Sequence, residues 1–485
     1  MLKIEGNQYN IGHICSLQQC EHGRSQKEAL RWVGRDGSIS TISFGEIESQ
    51  SNKFANVLES LNIEKSHSLF LYLSKSPELF SCFLGTLKKQ AICSVAFLNF
   101  GENALCERLE DSQAKIVVSQ KNLLQKILRI KKKLPDLKYI LLVDSDTHID
   151  TKVLSLPLLM QQASVQYQAS LTAADVPSVL HYTSGSTGKP KGVLHVHGSV
   201  LTQHATSEQV LDIKPDDLYW CTADQAWITG TSYGIIGPWS MGATQLHYAG
   251  SFNAKSWLEI LSQQKVTIWY SAPTVFRMIM SEGPGILEGF DFSHLRAIFS
   301  VGEPLNPQIV DWFRLHMHVD IHDTWFQTET GAIMIANRPG TKIRPGSMGT
   351  PVPGITAKVL LHNQIAGPGI SGELVLKGGW SSMFVGYLHR EQDYRNKFSQ
   401  GYYFTGDMAV KDADGYFWFK GRNDDIINVG GHLISPFEVE SALLECEEVF
   451  ESCAIGVPDE VFYERIVVFV VPKIGVKEDT HLDVK

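Results

Sequence analysis

The sequence predicts an α/β protein: a large N-terminal region of layered α/β subdomains with a small β-barrel-like subdomain, then a small α+β C-terminal unit. Three observations carry this reading. Over residues 1–175, amphipathic helical stretches alternate with short apolar runs, the pattern of a mostly parallel sheet covered by helices. Two later apolar runs, at 266–273 and 295–304, pass straight into Gly/Pro turns. Open α/β sheets receive ligands at such strand ends. From about residue 340 the texture changes to short β-type runs broken by Gly and Pro, as in a small barrel or distorted sheet.

Taken in order, "FGEIESQSNKFANVLESL" (44–61) is the first clear helix, and "SLFLYL" (68–73), "AKIVVS" (114–119) and "YILLVD" (139–144) are buried strands. The basic run "KILRIKKKLPDLK" (126–138) reads as a solvated helix face ending at Pro135. "SVLHYT" runs as a strand into a turn-rich loop, and "VTIWYSAP" and "LRAIFSVGEP" follow as strands. Beyond "FKGRNDDIINVGG" (419–431), "SPFEVESALLECE" is a helix with Ser435 as N-cap, Pro436 in the first turn and Glu438 completing a capping box. "FESCAIGVP" and "RIVVFVVPK" are the closing strands.

Composition narrows the function. The chain has 485 residues, 43% of them hydrophobic, so it can bury a large core. A formal net charge of −9 gives no general attraction to phosphate backbones, which argues against nucleic acid as a partner. The eight cysteines show no CxxC spacing and read as reduced, partly buried thiols, hence a cytoplasmic location. No apolar window approaches the ~18 residues of a membrane span, and the N-terminus lacks the apolar core of an export signal.

The segment "YTSGSTGKPKG" (182–192) concentrates glycines, serines, threonines and two lysines after a strand. Glycines let backbone N–H groups approach a ligand closely, and the hydroxyls and ammonium groups add donors, which suits a polyphosphate. A Walker A loop is excluded by spacing: only two residues separate Gly185 from Gly188, and Pro190 follows Lys189 where Ser or Thr is needed. The other reading of the loop alone is a flexible polar surface segment.

Four more stretches decide between them. Together with 182–192, "TADQAWITGTSYGIIGPWSMGAT" (222–244), "SVGEPLNP" (300–307), "DTWFQTETG" (323–331) and "YYFTGD…GRNDDIINVGGH" (402–432) resemble, in order, the motifs of the acyl-adenylate-forming superfamily, the AMP-dependent synthetases and ligases. Within it they are most similar to the acetyl-CoA synthetases and their short-chain relatives. The resemblance spans roughly residues 25–475.

It implies that ATP, Mg²⁺ and coenzyme A are used to convert a short-chain carboxylate first to acyl-AMP, with release of pyrophosphate, and then to acyl-CoA. The adenylation step gathers negative charge, so it calls for cations and aimed donors more than for a nucleophile. By this resemblance Thr183, Ser184, Gly185, Ser186, Thr187, Gly188, Lys189 and Lys191 would cradle the phosphates, with Thr187, Lys189 and Glu329 the catalytic set and Glu329 the magnesium ligand. Gly302, Glu303 and Pro304, with Asp323, Thr324, Trp325, Phe326, Gln327 and Thr328, would line the adenine. Asp407 would accept hydrogen bonds from both ribose hydroxyls, since one carboxylate can take two donors. Arg422 would reach the ribose or α-phosphate. Thr229, Asn253 and Gly430 match coenzyme A contacts. Ile228, Thr229, Val301 and Phe326 would wall the acyl pocket.

The same resemblance divides the chain into residues 1–421, with a β-rich part at about 335–418, a hinge at 422–426 centred on Asp424, and a partial C-terminal domain at 427–485. Three positions depart from the family pattern. Phe326 stands where close relatives of acetyl-CoA synthetase carry tryptophan. Leu433 replaces an arginine that meets the AMP phosphate, removing a contact of about 1.5–3 kcal/mol. The chain ends at "HLDVK", before the segment whose lysine enters the adenylation site, so either the sequence is a truncated form or adenylation is poor. Two other functions remain open at this stage: a degenerate nucleotide-binding protein with a regulatory role, and a ligase that loads a carrier protein.

Overall fold

The computed structural model describes residues 8–183, 189–423, 425–429, 432–444, 448–459 and 463–473, with Ile4, Gly6, Cys446 and Val476. Two large sheets carry the body of the chain. One has nine strands, in the order Thr350–Pro351, Ile335–Ala336, Ile321–Trp325, Ala297–Val301, Ile268–Ser271, Leu218–Cys221, Thr244–Tyr248, Glu28–Val33, Ile39–Ser43. The six strands from Ile321–Trp325 to Glu28–Val33 are parallel. The other sheet has eight strands: Gly386–Tyr387, Lys191–Val196, Pro177–Thr183, Ile92–Val95, Ser68–Tyr72, Ile116–Ser119, Tyr139–Leu142 and Val153–Ser155.

The expected strands and the first helix form where the periodicity places them. Ser68–Tyr72 and Ile116–Ser119 are buried along their whole length, as parallel strands covered on both faces must be. The helix runs Phe44–Ser60, started by a capping box in which the Ser43 hydroxyl accepts the Glu46 N–H and the Glu46 carboxylate accepts the Ser43 N–H. The basic run behaves differently from expectation. Its helix stops at Ile130 and Lys131–Lys133 form a tighter 3₁₀ turn, so the last lysines leave the helical face before Pro135 is reached. Lys126 turns inward, donating to the Tyr72 hydroxyl and the Phe100 carbonyl, each at 2.8 Å.

The β-rich region is a six-stranded antiparallel sheet built from Ala357–Leu361, Gln364–Ile365, Ser371–Lys377, Phe398–Ser399, Tyr402–Lys411 and Phe417–Arg422. Among the described residues its pairing path has free ends, so it is an open sheet and not a closed barrel. It begins later than 335, because Ile335–Ala336 and Thr350–Pro351 extend the edge of the nine-stranded sheet. The C-terminal unit is a four-stranded antiparallel sheet, His432–Ile434, Ile427–Val429, Tyr463–Pro472 and Val449–Asp459, with the helix Pro436–Leu444.

That helix begins after Ser435, as expected, but the capping box does not form. The Ser435 side chain is buried against Gly421, where an added Cβ would lie 2.4 Å from its Oγ, and this Oγ has no hydrogen-bond partner among the described residues. Glu438 instead pairs with Lys420 at 3.0 Å. Packing against the strand Phe417–Arg422 overrides the local cap. Among the described residues no helix is long and apolar enough to cross a membrane.

Candidate active site

The parallel strands Ala297–Val301 and Ile321–Trp325 lie in register, Val301 beside Thr324, and both end at the same edge. Each then turns, the first through Gly302 with φ +93°, a conformation that favours glycine. A cavity of about 300 Å³ opens there. It is lined by Gly302, Glu303, Pro304, Asp323, Thr324, Trp325, Phe326, Gln327, Asp407 and Arg422, residues expected at the nucleotide and contributed by four separate segments. Leu305, Gly346, Met348 and Phe419 complete the wall; Leu305 lies within the 300–307 motif but is given no role there, and sequence reading assigns none to the other three.

Asp407 is the polar centre of this cavity. Its Oδ1 accepts from Arg422 at 2.8 Å, and its Oδ2 accepts from Trp325 Nε1 and Gln327 Nε2, both at 3.0 Å. Burial raises its pKa, an effect partly offset by Arg422 and the two neutral donors. Gln327 is itself fixed: its Oε1 accepts from the Tyr403 hydroxyl at 2.8 Å. Glu303 accepts from the Thr274 hydroxyl at 2.6 Å. Asp323 is enclosed so completely that burial pushes its pKa up to about 8, and its Oδ1 has no hydrogen-bond partner among the described residues.

The turn beyond Gln327 presents Glu329. His195 Nε2 donates to the Thr328 carbonyl at 2.8 Å, and burial lowers that imidazole to about 4, so it is neutral. Gly331 closes the turn at φ +69°, where a Cβ would lie 2.2 Å from the Ser382 carbonyl oxygen. One Glu329 carboxylate oxygen accepts the Tyr387 hydroxyl at 2.7 Å; the other has no protein partner among the described residues. Neither His195 nor Tyr387 carries a local sequence signal for this role.

Thr183 and Lys191 face each other across the two strands that bound the loop. Lys191 is ion-paired with Asp393 at 3.2 Å, whereas Lys189 is exposed. Ser184, Gly185, Ser186, Thr187 and Gly188 lie outside the described residues, as do Asp424 and Gly430 and the side chain of Leu433.

Phe326 packs edge-on against Tyr233, ring centroids 5.5 Å apart, in the cluster that also holds Val301. Tyr233 is wholly buried, and its hydroxyl is tied to Thr206 Oγ1 and the Ile333 N–H, both at 2.7 Å. Ile228 and Thr229, both buried, begin the helical segment that leads to Tyr233. Asn253 is engaged locally: its side chain caps the helix Ala254–Gln263, accepting the Ser256 N–H at 3.0 Å, and it does not line the cavity at Gly302.

Comparison with known proteins places this geometry. The profile of the AMP-binding enzymes matches residues 17–388, and that of the AMP-binding enzyme C-terminal domain matches residues 438–485. The chain belongs to the AMP-binding enzyme family. It is 41% identical to the acetyl-coenzyme A synthetase of Bacillus subtilis over 98% of this chain and 84% of that protein. With the acetyl-coenzyme A synthetase of Rubrobacter xylanophilus it shares 39% identity over 97% of this chain and 77% of that one. Among solved structures, an anthranilate CoA ligase, AuaEII, with anthranoyl-AMP superposes with a TM-score of 0.89 at 29% identity, covering 97% of this chain and 88% of the other.

Proposed function

We propose that this AMP-binding enzyme activates a short-chain carboxylate, acetate or propionate, at the expense of ATP. The carboxylate oxygen attacks the α-phosphorus of ATP, giving acyl-AMP and pyrophosphate. The thiol of coenzyme A then attacks the acyl carbon, AMP leaves, and the thiol proton passes to solvent. The observation that carries this reading is the single cavity in which ten residues of the adenylate-forming motifs meet around the Asp407–Arg422 pair.

Asp407 offers a buried carboxylate to a ribose diol, and Arg422 supplies positive charge beside it. Trp325 and Gln327 hold that carboxylate in place. The loop 184–188, Lys189 and Thr183 would face the β- and γ-phosphates. Phe326, backed by Tyr233, would set the depth of the acyl pocket.

Magnesium fits the residues present. Mg²⁺ is commonly held by one or two carboxylates together with substrate phosphates and waters, and Glu329 offers one carboxylate oxygen that no described residue hydrogen-bonds. Among the described residues no cluster of three or more His, Cys, Asp or Glu forms an all-protein cage. When bound, the ion would neutralise charge on the triphosphate. A hinge at 422–426, between a body at 1–421 and a C-terminal unit at 427–485, agrees with the chain's passage there from one antiparallel sheet to another. A cytoplasmic setting agrees with the lack of any disulfide among the described cysteines.

The test is release of pyrophosphate on adding ATP and acids of two to eight carbons, followed by AMP formation with and without coenzyme A. Coenzyme A-dependent AMP formation with acetate or propionate is expected. Nucleotide binding without pyrophosphate release would overturn the proposal in favour of a regulatory protein. Pyrophosphate release with no coenzyme A-dependent AMP formation would point to a carrier-loading ligase.

A further inference from the structure

We propose that Tyr387 is a positioning residue for adenylation: it holds the Glu329 carboxylate in the pose that receives Mg²⁺ and ties that pose to the base of the phosphate loop. The proposal rests on reading Glu329 as the magnesium ligand, and it adds a residue that none of the loop or adenine motifs contains.

Residues 384–387 hold Glu329 at both ends. The Phe384 N–H donates to the Glu329 carbonyl at 2.9 Å, fixing its main chain. The Tyr387 hydroxyl donates to its side chain at 2.7 Å. A glutamate has three side-chain torsions, so an unrestrained carboxylate would sample several positions. With one oxygen held by the phenol, the other is presented in a fixed direction.

The same segment is built onto the strand that leaves the loop. Gly386 and Tyr387 pair antiparallel with Leu194 and Val193, and the Leu388 N–H donates to the Gly192 carbonyl at 2.7 Å. Lys191 lies over the Tyr387 ring, its Nζ 5.4 Å from the centroid, and pairs with Asp393 at 3.2 Å. Arg390 reaches the loop's last residues from the same side, donating to the Pro190 carbonyl at 3.4 Å. Lys191, expected at the phosphates, thus has its ammonium committed to Asp393 and to the tyrosine face. Displacing residues 189–191 would move the phenol, and with it the carboxylate.

Groups that orient a metal ligand from the second layer are worth roughly 10–100-fold in metal affinity or activity. The test uses Tyr387→Phe, Glu329→Gln and the double variant of the full chain. Tyr387→Phe keeps the ring that packs 5.0 Å from Phe384 and removes only the hydroxyl. ATP binding is followed by calorimetry across a Mg²⁺ titration, and pyrophosphate release is followed across the same titration. The expected result for Tyr387→Phe is a roughly tenfold higher Mg²⁺ concentration at half-maximal ATP binding, with the loss of rate concentrated at low Mg²⁺. In the Glu329→Gln background the tyrosine substitution should add no further shift. A Mg²⁺ titration unchanged by Tyr387→Phe but shifted by Glu329→Gln would overturn the role of Tyr387 alone. A titration unchanged by Glu329→Gln would overturn the reading of Glu329, and this proposal with it. A loss of rate equal at all Mg²⁺ concentrations would assign Tyr387 to general structure and also overturn the proposal.

Discussion

Asp407 and Arg422 stand opposite each other in neighbouring antiparallel strands, and their side chains meet at 2.8 Å across that rung. The sheet register therefore delivers a buried carboxylate and a cation to one point of the cavity, where Trp325 and Gln327 take the remaining oxygen.

Removing the carboxylate should act on binding before chemistry. Asp407→Ala is expected to weaken ATP affinity at least tenfold while lowering the rate at saturating ATP less, since in the proposed role the residue meets the ribose and not the reacting phosphorus. Unaltered ATP affinity, measured by calorimetry, would remove Asp407 from the site.

Charge around the triphosphate matters to the reaction itself. Lys189→Ala and Glu329→Gln should each reduce pyrophosphate release about 10²-fold or more. Glu329→Gln with full activity and unchanged Mg²⁺ dependence would show that this carboxylate holds no metal.

Asp323 gives a pH prediction of definite sign. Its pKa rises from the ordinary carboxylate value to about 8 on burial, so the folded state binds its proton more tightly than the unfolded state. Stability is then lost as pH climbs from about 4 through 8. Asp323→Asn should gain on the parent between pH 5 and pH 9 by more than ~1 kcal/mol in urea unfolding. A constant difference across that range would mean the carboxyl is not held neutral.

Five buried histidines act in the opposite window. Burial lowers His195 and His204 to about 4 and His181, His197 and His247 to about 3. The unfolded chain takes up protons below pH ~6.5 that the folded chain refuses, so stability falls as pH drops from 6.5 toward 4, by up to about 1.4 kcal/mol per pH unit for each histidine. The thermal midpoint should decline over that range, and less in His197→Gln, whose Nδ1 accepts the Ile11 N–H at 3.1 Å. An equal decline in the variant would exclude His197 from the effect.

Phe326 should set acid choice. Its edge-on contact with the tethered Tyr233 fixes the ring, which is smaller than a tryptophan. Acetate or propionate should lead, butyrate be tolerated and octanoate fail, each methylene counting for about 1–3 kcal/mol. Phe326→Trp should shift preference toward acetate, and Phe326→Gly should admit longer acids. A parent optimum at six carbons or beyond, or no change of profile in Phe326→Gly, would dismiss this residue as the pocket floor.

Much of this protein was written locally. The period of the apolar residues determined the helix at 44–60 and the buried strands, because a strand or helix is set by which side chains along a few turns avoid water. The ordered motifs determined the family and named ten of the residues that line one cavity. What the tertiary structure decided is which of them touch. Tyr387 reaches Glu329 from 58 positions away because one short strand joins the edge of the eight-stranded sheet. Phe326 meets Tyr233 through a packed core, and Ser435 gives up its cap because Gly421 presses against it. Such contacts depend on strand pairing and close packing between distant segments, which a residue's own neighbours in sequence do not encode.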